Sequence, residues 1–212
     1  MYLPSHFEES DTGELSRFIE QHSLGALVVN GPNGLDANHI PFLLDPQPDG
    51  SMRLLAHVAR SNAVWKEMVD DSDVLVMFGT NGAYISPGWY PTKQETHQQV
   101  PTWNYQVVHV HGQLFVHDND AFVRGVVARL TREHERRVAP DQPWKMTDAP
   151  REFIDRMVQA IVGIEVRVTR MVGKWKLGQN RQDRDRLGAA EALEARGDVE
   201  TSAAMRRAKP GV

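Results

Sequence analysis

The stretch GALVVNGPNGLDANHIPFLL, residues 25–44, contains two β-prone runs on either side of a turn. Residues 25–30 are compact and mostly apolar, and the turn Gly31-Pro32-Asn33-Gly34 has glycines that accept positive φ angles. Residues 37–44 then return to strand-like sequence. The stretch therefore predicts an antiparallel β-hairpin, and it introduces the pattern that the rest of the chain repeats.

Short strands separated by turns continue toward the C-terminus, with helical periodicity between some of them. Further strands are predicted at residues 53–59, 73–79, 83–86, 105–117 and 164–168, and Gly112 indicates a bulge or bend within the longest of them. Helices are predicted after the caps at Ser10–Glu14, Ser61-Asn62 and Asp118–Asp120, and near Asp148. At least six short strands with helices at intervals favour a closed antiparallel barrel, a mainly β fold with peripheral helices (α+β), over an alternating parallel α/β sheet.

The C-terminal part of the chain differs in composition from the strand-rich part. Residues 182–196 are rich in Ala and Glu and contain few large apolar side chains, and Gly197 is a stop signal. This composition predicts a surface helix. With 212 residues the chain fits one compact domain with a short appendage.

Composition and charge exclude several classes of protein. Lys and Arg total 24 against 28 Asp and Glu, a formal net charge of -4, so no broad basic surface for nucleic acid is expected and a DNA contact would be local. The chain has no Cys, which excludes disulfide scaffolds, thiolate metal sites and cysteine nucleophiles. No dinucleotide-binding or phosphate-loop glycine motif is present. Neither a signal peptide nor a membrane span is readable, so we expect a soluble cytoplasmic protein.

Two neighbouring segments form the first candidate site, residues 38–42 and residues 55–63. A strand that ends in a cation and then opens a helix at Ser61 would present free N–H groups to an anion, and His57 and Arg60 would meet a phosphate there. The alternative is that Ser61 only caps a helix, while the histidines satisfy backbone groups at strand ends.

Two further segments carry chemistry that suits a planar anionic ligand. In residues 100–105, Trp103 and Tyr105 flank Asn104, so rings could stack on a heteroaromatic ligand while the amide donates and accepts; anchoring in the core is the alternative. Residues 173–181 contain a basic and amide cluster that either closes over an anion or forms a solvated turn. The proline-containing segment 87–102 is predicted to be a long loop outside the sheet and a candidate for function.

A metal site has weak support in the sequence. His109 and His111 would project to the same face of an extended strand, but two ligands without a fixed third do not make a metal centre, and we predict none. No nucleophile-elbow sequence supports Ser/His/Asp hydrolysis. The sequence identifies no catalytic residue.

Six segments, taken in order along almost the whole chain, resemble the PaiB-type negative transcriptional regulator family. They are residues 1–7, 38–41, 56–62, 83–90, 100–105 and 176–181. The resemblance implies an FMN-binding split β-barrel and a homodimer with FMN at the interface. It further implies that residues 1–172 form the FMN-binding domain and that residues 173–212 add a ligand-closing loop and a surface helix to the same domain.

The resemblance also implies cofactor-binding residues. They are His39, Ile40 and Pro41 along the flavin; Ala56, His57, Val58, Ala59, Arg60, Ser61 and Asn62 at the ribityl phosphate; and Trp103, Asn104, Lys176 and Gln179, which would complete the pocket from the other subunit. Gly178 stands where the family pattern has a serine, so a hydroxyl contact would be lost. FMN is then expected to act as a structural or sensing ligand, because no Asp or Glu lies within the matched segments to act as a base and only Lys176 adds positive charge near the ring. The alternatives are a flavin-dependent oxidoreductase, such as a flavin reductase or a pyridoxamine-oxidase-like enzyme, and a haem- or metal-binding barrel.

Overall fold

The structure, a computed structural model, describes residues 1–68 and 71–209. Within these residues the strands are β1 (Glu8–Glu9), β2 (Leu24–Gly31), β3 (Gly34–Pro41), β4 (Leu43–Pro46), β5 (Met52–Ala59), β6 (Ser72–Gly79), β7 (Ala83–Ile85), β8 (Thr102–His117) and β9 (Ile161–Lys176). The α-helices are α1 (Thr12–Gln21), α2 (Val64–Glu67), α3 (Thr92–Thr96), α4 (Asp120–Val138), α5 (Arg151–Gln159), α6 (Asp183–Ala195) and α7 (Val199–Arg207). Short 3₁₀ turns cover Ser5–Phe7, Pro87–Trp89 and Met146–Asp148.

The strands hydrogen-bond in the order β3-β2-β6-β8-β9-β5-β4, with β1 added to β9 and β7 to β8. Strands β2 and β3 form the hairpin that residues 25–44 predicted, in a register that pairs Leu24 with Pro41 and Gly31 with Gly34. Strand β5 runs antiparallel to β9, with His57 opposite Gly163. The predicted antiparallel, mainly β architecture with peripheral helices is confirmed.

The chain divides into two compact units. The first unit contains residues 1–15, 79–108 and 172–212, and the second unit contains residues 16–78 and 109–171. The long strands β8 and β9 each contribute residues to both units. Because the predicted ligand residues are distributed over the two units, each unit is described separately below.

The second unit is built on strands whose buried residues alternate. In β2, Gly25, Leu27 and Val29 are buried while their neighbours are less so, as expected for a strand with one face on the core. Leu27 is fully inaccessible, and Phe78 packs edge-on against Phe42 with ring centres 5.8 Å apart. The strand was predicted from the apolar, β-prone run 25–30, and the structure adds the alternation of its buried residues.

The C-terminal helices correct one prediction. Residues 182–196 were predicted to form a surface helix, but α6 is packed into the core of the first unit, and α7 follows it. Small alanine side chains allow close approach of a helix, so a helix with few large apolar residues can still be buried. The core of the first unit consists of Ala83, Ile85, Tyr90, Leu177, Ala189, Ala190, Leu193, Ala204 and Met205.

Three element boundaries also differ from the prediction. The final strand extends from Ile161 to Lys176, so half of the basic segment 173–181 is strand rather than turn. The predicted long loop 87–102 contains a 3₁₀ turn and helix α3. The run 37–44 is divided into β3 and β4 at Phe42, whose N–H donates to the carbonyl of Ser23 at 2.8 Å. Among the described residues, no helix is long and apolar enough to cross a membrane.

Candidate functional site

The first candidate site is a polar corner of the second unit, where β3 and the turn after β5 meet. Asn62 donates from Nδ2 to Oδ1 of Asn38 at 2.7 Å, which ties the turn to β3. The backbone N–H of Asn62 donates to the carbonyl of Ala59 at 2.9 Å and closes the turn. The two segments that the sequence linked by their chemistry therefore lie together.

The helix that follows this corner differs from the prediction. Helix α2 begins at Val64 rather than at Ser61, and Asn62 rather than Ser61 accepts its first N–H, from Val64 at 2.9 Å. The helix has four residues, too few to build a substantial dipole. The helix start predicted at Ser61 is therefore wrong, and the polar groups of the corner are its side chains. The phosphate contact predicted for this corner stays a prediction.

Arg60, the predicted phosphate ligand, is held by the chain's own acceptors. Its Nη1 and Nη2 donate to the two carboxylate oxygens of Asp118 at 2.9 and 2.6 Å, and Nε donates to the carbonyl of Gln159 at 2.7 Å. Nη2 also donates to the carbonyl of Ile161 at 3.2 Å. The hydrogen bond with Asp118 raises the pKa of Arg60 and lowers that of Asp118. Four guanidinium contacts thus fix the corner to two other segments of the second unit.

His57 carries a polar atom that the described residues leave without a hydrogen bond. Its Nδ1 is buried and has no partner among them. Burial lowers the pKa of the imidazole, so the ring is neutral at neutral pH and Nδ1 can donate or accept according to the tautomer. Because buried polar atoms are usually satisfied, an unpartnered one is a signature of a missing ligand or water.

The remaining predicted residues of these strands divide between two faces. Ile40, Ala56 and Val58 are buried among apolar residues, so their side chains belong to the core. His39, Pro41 and Ala59 are exposed, and Ser61 is exposed in the turn. Successive residues of a strand point to opposite faces, which explains why a continuous stretch of predicted contacts is only partly available to a ligand.

The first unit presents an exposed aromatic pair beside a cation. Trp103 and Tyr84 are 55% and 49% exposed, and their rings meet edge-to-face with centres 5.9 Å apart. Lys176 donates from Nζ to the hydroxyl of Thr102 and to the carbonyl of Trp103. Burial, and then the nearby Lys174 and Arg181, lower the pKa of Lys176. Two rings and an ammonium group are a suitable surface for a planar anionic molecule.

Two predicted ligand residues of this unit, Asn104 and Gln179, have side chains that are hydrogen-bonded to other residues of the unit. Asn104 is 2% exposed and donates from Nδ2 to the sulfur of Met205 at 3.4 Å, because it lies on the opposite face of β8 from Trp103. Gln179 donates to the carbonyl of Trp175 at 2.6 Å and accepts from the N–H of Leu177 at 2.8 Å, so its amide closes its own turn. Asn104 does not face a ligand beside Trp103 in this structure.

The backbone conformation at Gly178 favours glycine. Its φ angle is +89°, in the left-handed region where a residue with a Cβ atom is strained. A Cβ added there would be in ordinary van der Waals contact with Cγ of Arg186 at 3.4 Å, so the φ angle rather than crowding favours glycine. The glycine therefore suits the turn that Gln179 closes.

Tyr84 is exposed beside Trp103 and was not among the ligand residues predicted from the sequence. Ala83 and Ile85 on either side of it are buried, so alternation along β7 places Tyr84 on the open face. Strand β7 pairs with β8 and sets Tyr84 directly opposite Trp103. The sequence signal that could have identified it is its position between two apolar residues of a short predicted strand, since alternation then places Tyr84 on the outer face.

The metal alternative gains no third ligand. In residues 1–68 and 71–209, no group of three or more His, Cys, Asp or Glu side chains is arranged to hold a metal ion. Burial lowers the pKa of both His109 and His111, which are on β8 in the second unit. The two histidines remain a pair on a strand.

Known proteins resemble this chain in sequence. Residues 1–170 match the family described as "Putative FMN-binding domain". The Bacillus subtilis "Protease synthase and sporulation protein PAI 2" is 29% identical, over 92% of this chain and 89% of that protein. An uncharacterized Aspergillus fumigatus protein is 31% identical, over 93% of this chain and 92% of its own length.

Solved structures resemble it in fold. A conserved hypothetical protein of Mycobacterium tuberculosis superposes with a TM-score of 0.57 at 12% identity, covering 83% of this chain and 91% of that one. The flavocytochrome Anf3 of Azotobacter vinelandii superposes with a TM-score of 0.55 at 11% identity, covering 81% and 70%. The predicted fold class, an antiparallel split β-barrel of the FMN-binding kind with peripheral helices, is confirmed.

Proposed function

This chain belongs to the "Putative FMN-binding domain" family and is similar to PAI 2 of Bacillus subtilis. From this premise we propose that it binds FMN. The match over residues 1–170 carries this proposal. It includes the polar corner of the second unit and the Tyr84–Trp103 pair of the first unit. Lys176 and Gln179 lie beyond the matched residues.

The chemistry of the two surfaces fits the parts of FMN. Bound FMN supplies an isoalloxazine ring that accepts and donates electrons. Trp103 and Tyr84 offer rings for stacking on it, and Lys176 offers a positive charge near a reduced, anionic ring. In the second unit, the unpartnered Nδ1 of His57 offers a hydrogen bond, and Arg60 offers the charge that a phosphate requires.

We further propose a homodimer in which the aromatic set of the first unit comes from the partner subunit. The aromatic set is exposed in the first unit, where a second subunit could cover it. An exposed edge-to-face pair of large aromatic rings is also costly to leave in water. Covering it with a bound flavin and a second subunit removes that cost.

FMN serves in this proposal as a structural or sensing ligand. The carboxylates at the polar corner are already engaged: Asp118 is bound bidentately by Arg60, and Asp36 accepts from Nδ2 of Asn38 at 3.0 Å. A base that abstracts a substrate proton must be free to accept one, so Asp118 does not fill that role. A flavin-dependent oxidoreductase is the alternative.

Nicotinamide oxidation separates these functions. We expect the FMN-loaded protein to oxidise NADH or NADPH with a turnover number far below about 10 per second, which is typical of enzymes. Stopped-flow absorbance of the flavin measures the reduction step directly. Reduction at ordinary enzyme rates that is lost in Lys176→Ala would establish the oxidoreductase instead.

Comparison of FMN with riboflavin tests the phosphate contact. Arg60→Ala is expected to weaken FMN at least about tenfold, the effect of losing one charge-assisted hydrogen bond, and to leave riboflavin within about twofold. Asp118→Asn is expected to strengthen FMN selectively, because it removes the carboxylate that competes for Arg60. Flavin fluorescence titration measures both affinities, and light scattering of the loaded protein should give twice the chain mass of 23.9 kDa.

Arg124→Ala is the matched control, since Arg124 is another arginine of the second unit that forms ion pairs, with Asp120 and Asp155, and it is not a predicted ligand residue. It should change neither affinity. Equal loss of FMN and riboflavin in Arg60→Ala would show that Arg60 only positions the corner. A purified wild-type chain that binds neither flavin at micromolar concentration would overturn the proposed function.

A further inference from the structure

A cavity of about 550 Å³ lies in the first unit, and the proposed flavin residues of the second unit have no part in it. Its volume is in the range of small-molecule sites. The side chains that decide its chemistry are Tyr84, Trp89, Leu193, Arg196 and Asp198. They come from β7, the 3₁₀ turn that follows it, and the end of α6 with the connection to α7.

The inner wall of this cavity is apolar and aromatic. Leu193 is buried, and Trp89 packs against the same core cluster while its ring borders the cavity. Tyr84 adds a second ring and is half exposed. An aromatic molecule in the cavity would therefore have two rings and an aliphatic side chain to contact.

The outer wall carries a cation whose position is set by the backbone. Arg196 caps α6, and its guanidinium lies 5.9 Å from the centre of the Trp89 ring. Gly197 follows with a φ angle of +88°, so the chain reverses sharply and brings Asp198 to the same cavity. A guanidinium above an indole is well placed to meet the carboxylate of a molecule that lies against the ring.

Asp198 adds a carboxylate to the same cavity, so a ligand that fits it carries a hydrogen-bond donor as well as a carboxylate for Arg196. Oδ1 of Asp198 accepts the N–H of Thr201 at 3.0 Å, so the carboxylate caps α7 and is stabilised by the start of that helix. Its second oxygen can accept an N–H from a ligand. The cavity thus combines two rings, one cation for a carboxylate and one acceptor for a donor.

We propose that this cavity binds a small aromatic carboxylate, with the ring between Tyr84 and Trp89 and the carboxylate on Arg196. This would be a second site, and it shares no residue with the polar corner of the second unit. Tyr84 also contacts Trp103, so a molecule bound here would touch the aromatic surface proposed for FMN. The signal to which a flavin-binding sensor responds would then be a carboxylate of this class.

Indole-3-acetate and indole-3-acetamide are the probes, because they differ only in charge at the position that Arg196 would meet. Isothermal titration of the full-length protein, both flavin-free and FMN-saturated, is expected to show one site per chain that prefers the acetate at least tenfold. Arg196→Gln should remove that preference. Arg207→Gln, an exposed arginine at the end of α7, is the control and should retain it.

A second readout locates the site independently of affinity. The indole N–H signal of Trp89 in a ¹⁵N spectrum, assigned with Trp89→Phe, should shift on addition of the acetate and shift less in Arg196→Gln. Absence of saturable binding up to 10 mM acetate, or equal affinity for both probes in the wild type, would overturn the proposal. Binding to a chain that takes no FMN would support this site while the proposed function fails.

Discussion

Gly112→Ala is expected to destabilise the protein by about 3 kcal/mol or more, the range of severe overpacking in a core. A Cβ atom at this position would lie 2.4 Å from the carbonyl oxygen of Arg167 and 2.7 Å from Cγ1 of Val166. The first contact is with backbone, so no rotamer change relieves it. Strands β8 and β9, which are neighbours in the sheet, would have to separate locally and lose hydrogen bonds.

Gly125→Ala is the matched control for this substitution. Gly125 lies within α4, and a Cβ there would meet no atom within 4 Å. Alanine is the better helix former by about 1 kcal/mol, so this variant should be as stable as the wild type or more so. Urea unfolding followed by circular dichroism measures both variants. A Gly112→Ala protein within about 1 kcal/mol of the wild type would contradict the close approach of the two strands.

Gly112 also shows what the sequence could predict and what it could not. A glycine inside a strand-like run predicted a bulge or bend, and Gly112 lies within strand β8. The bulge or bend itself stays a prediction. The glycine was correctly identified as special, but its reason is the nearby backbone of β9, which is more than fifty residues away in sequence. Periodicity describes one strand at a time and contains no information about which strand packs against it.

The same distinction explains the candidate site. The sequence grouped residues 38–42 and 55–63 as one candidate site by their chemistry, and the bond between Asn38 and Asn62 joins the two segments. Asp118 was not predicted, because its contact with Arg60 spans 58 residues and depends on how the end of β8 meets the turn after β5. Trp103 and Asn104 were predicted as a pair from adjacency alone, although adjacent residues of a strand face opposite sides.

The prediction of a surface helix at residues 182–196 was wrong for a different reason. Composition predicts burial from the number of large apolar side chains, and α6 has few of them. Its Ala189 and Ala190 are nevertheless fully buried, and Asp185 and Arg186 of the same helix are buried too. The polar residues are tolerated because each has partners inside the unit: Arg186 donates to the carbonyl of Met205, and Asp185 accepts from Thr92.

Asp185→Ala is expected to cost about 3 kcal/mol of stability, because it would leave two buried donors without an acceptor. Asp185 is 2% exposed and accepts the N–H of Thr92 at 3.0 Å and its hydroxyl at 2.6 Å. Gln99 contacts the same carboxylate at 3.4 Å and donates to the Thr92 hydroxyl at 2.7 Å. This cluster fastens the segment 87–102, which contains α3, to α6.

A double-mutant cycle with Thr92→Val distinguishes the contribution of the Thr92–Asp185 hydrogen bonds to stability from the general effect of removing a buried charge. Thr92→Val removes the hydroxyl but keeps the backbone N–H, so it should cost less than Asp185→Ala, and the two losses should be less than additive by about 1 kcal/mol or more. Glu191→Ala, an exposed acid on the same helix, should leave the unfolding midpoint in urea nearly unchanged. Fully additive losses would mean that Thr92 and Asp185 act independently. If the losses are less than additive, the segment from Tyr90 to β8 is held by the contact between Thr92 and Asp185. Neither residue belongs to the six segments on which the resemblance to PaiB-type regulators rests.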